Sequence, residues 1–196
     1  MSAVTISPTN ISNKRAAILE STLILISERG LHDTPMSLIS KESGVSTGNI
    51  YHHFASKDEL IVELYREIKT KAFRSLLSGY DEQAPYQERF LYLWKSILRY
   101  YLDHPKEIKF LEQYEHSPYY DPNWAAQYAE LIQPLVMYFQ KGITEGVLKD
   151  LPLEILMELG TATAVALAKQ HIRGAYQLTD EVIAAAALAG WDMVKI

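Results

Sequence analysis

Within the segment Thr34–Leu60, Thr47, Gly48, Asn49, Tyr51, His52 and His53 form a short polar and aromatic run with apolar Ile50 in its middle. On a helix, this run presents side chains suited to the edges and phosphates of a nucleic-acid duplex. Asn49 can make paired hydrogen bonds to adenine, Thr47 can meet a base edge or a thymine methyl, and Gly48 permits close backbone approach. Tyr51 and His52 suit phosphate oxygens, and Lys57 adds a charge-assisted phosphate contact. Ser37 and Ser46 complete the candidate DNA-contacting set of Ser37, Ser46, Thr47, Gly48, Asn49, Tyr51, His52 and Lys57. Lys14 and Arg15 are either further phosphate contacts or solvated charges. Tyr51 either packs its ring or exposes it, and His53, beside Phe54, reads as structural.

Positioning this run requires short helices held by a common core. Apolar Ile18, Leu19, Leu25 and Ile26, with Thr22, share one face of a helix over Asn13–Arg29, which Gly30 ends with a left-handed cap. A short helix over Ser37–Ser43 stops at Gly44, and Ser46 caps another running to about Phe54. Two helices too short to bury a face alone, joined by Gly44-Val45-Ser46, make a helix-turn-helix. Leu38, Ile39, Val45, Ile50 and Phe54 supply the inward contacts. Ser56-Lys57-Asp58-Glu59 has the form of a capping box and starts a long helix reaching about Ser78.

Beyond the loop Gly79–Pro85, every segment again reads as helix. One carries Phe90, Trp94, Ile97 and Tyr101 on a face and ends before Pro105, and a short one covers Pro105–Glu115. Asp121 and Pro122 read as the N-cap and first residue of a helix that extends to about Glu145 and is bent at Pro134. The last two, about Leu153–Arg173 and Thr179–Lys195, are studded with Gly and Ala. Such small residues let helices approach closely and leave more than one apolar face, which suits packing on the body and on a second copy. The expected architecture is all-α: a three-helix head over 1–60 that binds DNA, joined through a long fourth helix to a ligand-binding and dimerisation body over 61–196. The polar, uncharged stretch Met1–Asn13 reads as a loose arm.

Composition agrees with this picture. A chain of 196 residues with 48% hydrophobic and 22% charged residues is globular rather than disordered. It has no cysteine, which removes disulfides, thiolate metal sites and cysteine nucleophiles and fits a cytoplasmic setting. The longest apolar run, Val182–Trp191, is too short for a membrane span, so no membrane partner is expected. Net charge is −5, but residues 1–80 hold nine Lys/Arg against eight Asp/Glu, whereas residues 81–196 hold ten against sixteen. A neutral-to-basic head on an acidic body remains compatible with DNA.

The pattern Ile18-Leu19 through Arg29-Gly30, then Gly44-Val45-Ser46, Gly48, Ile50-Tyr51, His53-Phe54 and Ser56-Lys57-Asp58-Glu59-Leu60 resembles the TetR/AcrR family of bacterial transcriptional regulators. The family's usual alanines near the first turn are Ser40 and Ser43 here. The resemblance implies an all-helical homodimer that binds DNA through its N-terminal helices and a small inducer in its body. The expected function is a sequence-specific regulator acting as a repressor on a palindromic double-stranded operator and released by a small apolar or aromatic effector. Pairing of subunits is expected through the last two helices.

For the effector, the aromatic-rich body offers Trp94, Phe110, Gln113, Tyr114, Trp124, Tyr128 and Tyr138, any of which can instead simply fill the core. No cofactor or metal is expected: Glu112 and His116 are four apart, but no second pair completes a site. Without a nucleophile elbow or a phosphate-cradling glycine loop, an enzyme is not expected. The alternatives are a helical small-molecule-binding protein without DNA binding and a helical hydrolase or metalloenzyme.

Overall fold

The computed structural model describes residues 8–196. Helices α1 (Pro8–Arg29), α2 (Met36–Ser43), α3 (Thr47–His53) and α4 (Lys57–Leu77) are followed by α5 (Tyr86–Asp103) and α6 (Pro105–Glu115). A 3-10 turn (Trp124–Tyr128), α7 (Ala129–Thr144), α8 (Leu153–Ile172) and α9 (Asp180–Val194) complete the chain. Among the described residues the sole β pairing is an isolated bridge, Leu148 with Lys195. The fold is thus all-α, as the periodicity predicts.

The chain divides into two compact units, residues 1–68 with 106–121, and residues 69–105 with 122–196. This division by packing differs from the functional division at 60/61, because the segment carrying α6 joins the first unit. The boundary itself falls inside α4.

In the first unit, α1 buries Ile18, Leu19, Thr22, Leu25 and Ile26, the face read from the sequence. The helix begins at Pro8, earlier than expected, with proline at the first helical position where its missing N–H costs nothing. The loose-arm reading therefore fails for residues 8–13, and residues 1–7 lie outside the described residues. Gly30 ends the helix at φ 93°, and its N–H donates to the Ile26 carbonyl (2.9 Å).

From α6, the Gln113 amide grips that end of α1. Its Nε2 donates to the Ile26 carbonyl (2.9 Å), and its Oε1 accepts from the Leu31 N–H (3.1 Å). Tyr114 stacks on Tyr65 of α4 with centroids 4.0 Å apart, and the Tyr119 hydroxyl donates to Asp58 (2.9 Å). Burial raises the pKa of both tyrosines, Tyr119 further through its carboxylate partner.

In the second unit α5 packs on α8 and α9, with α7 against α8. Glycines permit this contact at two places. A Cβ on Gly160 would lie 3.0 Å from the Phe139 ring, and one on Gly190 would lie 3.0 Å from Trp94 Nε1. Ala164, Ala168 and Ala187 are buried, while Ile155 of α8 and Val182 and Leu188 of α9 remain exposed. Two boundaries differ from expectation. Asp121 and Pro122 lie ahead of the helix they were expected to start: Asn123 flanks the 3-10 turn, and the α-helical part begins at Ala129. The Ser117 hydroxyl, donating to the Tyr114 carbonyl (2.7 Å) and accepting from the Tyr119 N–H (3.2 Å), commits this stretch to turn structure. Pro134 sits inside α7.

Candidate nucleic-acid interface

The turn between α2 and α3 is built from Gly44 at φ 67°, which reverses the chain as an L side chain rarely can, and from Val45, buried beneath it. Ser40 and Ser43 do more here than fill small spaces. Ser40 donates to the Val45 carbonyl (2.8 Å), and Ser43 accepts from the Val45 N–H (3.3 Å), so both backbone groups of the turn residue are satisfied. Ser46 then caps α3, accepting from the Asn49 N–H (3.4 Å).

With Ile39, Val45, Ile50 and Phe54 buried, the remaining face of α3 is fixed by helical period. Leu38 is only partly buried. Gly48, Asn49, Tyr51 and His52 are exposed, as are Ser37 and Ser46, and Thr47 is partly so. Tyr51 is 50% exposed, which decides its two readings in favour of a ring standing out from the core. His53 turns toward Phe54, with ring centroids 6.3 Å apart. A Cβ added to Gly48 would meet no atom of the chain within 4 Å, and its φ is not positive. Neither packing nor backbone geometry requires glycine there.

The flanking cations behave differently from one another. Arg15 is held by Glu67 (2.6 Å) and Glu63 (3.1 Å) of α4, with its guanidinium over the Phe54 ring. Its charge is neutralised within the unit, so the reading of Arg15 as a phosphate contact gives way to a structural one. Lys57 donates to the Leu31 carbonyl (2.7 Å), which fixes its ammonium at the start of α4, and burial lowers its pKa. The capping box at the same place is present. Ser56 accepts from the Glu59 N–H (3.0 Å), and the Glu59 carboxylate reaches back to the Ala55 N–H.

The seven aromatic and amide residues named for an effector are divided between the two units. Phe110, Gln113 and Tyr114 lie in the first unit: Phe110 is fully buried, Gln113 clips α1, and the Tyr114 hydroxyl donates to the Tyr119 carbonyl (2.9 Å). Trp94, Trp124, Tyr128 and Tyr138 lie in the second. Trp94 is core, donating to Thr163 Oγ1 (2.9 Å). Trp124 and Tyr128 meet Phe73, and Lys69 Nζ sits 4.2 Å from the Trp124 ring centroid. Tyr138 lines a separate cavity with Tyr80, Tyr86 and Arg89. Phe73, Lys69, Tyr86 and Arg89 were not singled out from the sequence. The one local signal was a tyrosine and an arginine three apart on the first turn of α5. His116 Nδ1 lies 2.8 Å from the Glu112 carbonyl oxygen, which accounts for that pair's spacing without a metal.

Comparison with known proteins gives this geometry its context. Residues 18–64 match the bacterial regulatory proteins of the tetR family, and residues 85–195 match the tetracyclin repressor-like C-terminal domain. An HTH-type transcriptional regulator of Haemophilus influenzae is 24% identical over 183 residues, covering 91% of this chain and 94% of that protein. A TetR family regulator from Marinobacter aquaeolei VT8 superposes with a TM-score of 0.89 at 22% identity, over 96% of this chain and 99% of the other. FadR from Bacillus subtilis, solved in complex with stearoyl-CoA, superposes with a TM-score of 0.70 at 15% identity, over 91% and 96% of the two chains. Among the described residues no helix is long and apolar enough to cross a membrane. A helix-turn-helix head and helical body of this order, matched by family models over both parts, place the chain in the TetR family of DNA-binding transcriptional regulators, which are not enzymes.

Proposed function

We propose that the chain is a ligand-responsive repressor: a homodimer paired through α8 and α9 that sets one α3 into each half of a palindromic operator and leaves the DNA when a small apolar or aromatic effector occupies residues 61–196. The observation that carries this reading is the strip Gly48, Asn49, Tyr51 and His52, exposed while Ile50 between them is buried. Thr47 and Asn49 would read base edges, and Gly48 would let the backbone approach them. Ser37, Ser46, Tyr51, His52 and Lys57 would contact phosphates. In a dimer the two strips must sit about 34 to 36 Å apart, or a multiple of that spacing, to enter major grooves on one face of the duplex.

The exposed apolar residues Ile155, Val182 and Leu188 support pairing through the last two helices. The stearoyl-CoA bound by the B. subtilis neighbour supports an effector with a substantial apolar part. Trp124, Tyr128 and Tyr138 are the best placed of the seven candidate effector residues. Trp94, Phe110, Gln113 and Tyr114 act by holding the surrounding core. Helix α4 carries Lys57 at one end and Lys69 and Phe73 toward the other, so an effector that displaces it changes the register of the head. Such coupling is typically about 1–3 kcal/mol and reciprocal.

The test is a duplex selected by the full-length protein from random sequence, bound at fixed salt. The double variant Asn49→Ala and Tyr51→Ala should lose specific binding while keeping its helical content. Retention of specific binding would refute the interface. An operator affinity unmoved by any ligand that binds the body would refute the sensor and leave DNA recognition standing.

A further inference from the structure

We propose that the second unit carries a binding site for a compact monoanionic carboxylate, built around Arg89. A cavity of about 440 Å³ lies between the residue 80–86 stretch and α7, within the range that small-molecule sites occupy. Its walls come entirely from the second unit. The Arg89 guanidinium lies 4.2 Å from the Tyr86 ring centroid and 5.2 Å from that of Tyr138. Both rings pack against this cation, but they do not neutralise it. Among the described residues no carboxylate forms an ion pair with it, in contrast to Arg15 and Arg66, which pair with glutamates. Arg89 Nε and the Tyr80 hydroxyl are buried without a partner in hydrogen-bond geometry. A partly buried guanidinium without an ion-pair partner, beside a cavity, favours an anionic ligand there.

The remaining walls narrow the class. Glu82, Glu145 and Lys141 also line the cavity, so with Arg89 the four charged groups sum to zero. A dianion would meet two carboxylates, whereas a monoanion can pair with Arg89 alone. The Tyr86 hydroxyl lies near both Glu145 and Arg89, and the Tyr80 hydroxyl lies near Arg89. A planar carboxylate matches the guanidinium fork in a bidentate fashion. Tyr86, Tyr138 and Met137 offer apolar surface to a flat or short carbon skeleton.

This assignment deepens the sensor reading and rests on it only for the regulatory consequence. Binding is therefore measured without DNA, by calorimetry and by aromatic proton resonances of the full-length dimer. The probes are sodium benzoate and sodium hexanoate, with benzamide as the neutral isostere and inorganic phosphate, at about pH 8.5 where it is a dianion, as the doubly charged control. The expected result is saturable binding of at least one carboxylate below about 10 mM, shifting the Tyr86 and Tyr138 ring signals, with benzamide and phosphate about tenfold weaker. Arg89→Met should weaken the carboxylate by about tenfold to a hundredfold.

Absence of saturable carboxylate binding, equal affinity for benzoate and benzamide, or unchanged binding by Arg89→Met would each overturn the site. Should Arg89→Met fail to fold, the wild-type comparison of benzoate with benzamide still decides. Carboxylate binding with unchanged operator affinity would sink the sensor coupling and leave this site standing.

Discussion

Replacing Gly48 by alanine should make the protein more stable and a worse DNA binder. Position 48 is the second residue of α3, its φ is not positive, and an added methyl would meet no atom of its own chain within 4 Å. The folded state therefore gains helix propensity without a clash, about 0.5–1 kcal/mol. For a chain of this length, that corresponds to a rise in melting temperature of about 1–4 °C. On DNA the same methyl would stand between the α3 backbone and the duplex. Overpacking a close contact costs about 1 kcal/mol or more, and a symmetric dimer suffers it twice, so operator affinity should fall about thirtyfold. Thermal unfolding followed by circular dichroism and fluorescence anisotropy on the selected duplex read the two effects separately. The slope of log affinity against log salt should stay constant, because the phosphate contacts are not the ones removed. A lowered melting temperature would mean that the space beside Gly48 is not open. Unchanged operator affinity would mean that this backbone does not approach the duplex.

Other outcomes follow from contacts elsewhere. Gln113→Ala leaves the Ile26 carbonyl and the Leu31 N–H without their side-chain partner and should cost about 1–3 kcal/mol of stability in chemical denaturation, with Gln113→Glu unable to restore the donor to Ile26. Arg15→Ala should lower stability and leave the salt slope of DNA binding unchanged, since Glu63 and Glu67 already hold its charge; a slope reduced by about one would reinstate it as a phosphate contact. Tyr80, Tyr86, Tyr114, Tyr119 and Tyr138 all have raised pKa values, with burial the largest cause. The folded chain then holds these protons more tightly than the unfolded chain. The associated stability is complete below about pH 10 and is lost as pH rises through the folded values. Phenolate absorbance should lag in the native protein and appear together with unfolding, and a titration superimposing on that of the denatured chain would contradict this.

The head was legible because its signals are local. Gly30, Gly44, Ser46 and the Ser56–Glu59 pair each satisfy or reverse backbone within a few residues, so residue type alone carries the geometry. The buried face of α1 was equally legible, since period 3.6 is a property of the helix itself. The place of α6 was not. Gln113 looks like a surface amide, or a ligand-orienting one, until its partners appear 82 and 87 residues away, and both are backbone groups with no residue signature.

The body's candidate effector site was less legible for a related reason. Aromatic content marks where rings are abundant without saying whether a ring meets another ring or a cavity. Trp94 met Thr163 and Gly190, and Trp124 met Phe73 and Lys69, while Tyr138 reached the cavity. What distinguishes the cavity is an arginine set against two tyrosines that, among the described residues, forms no ion pair with the acids nearby. Charge balance is a sum over neighbours in space, which a linear sequence does not order. It follows that variation at Arg89 should change which ligands the body accepts, whereas variation at Trp94 should change only whether it folds.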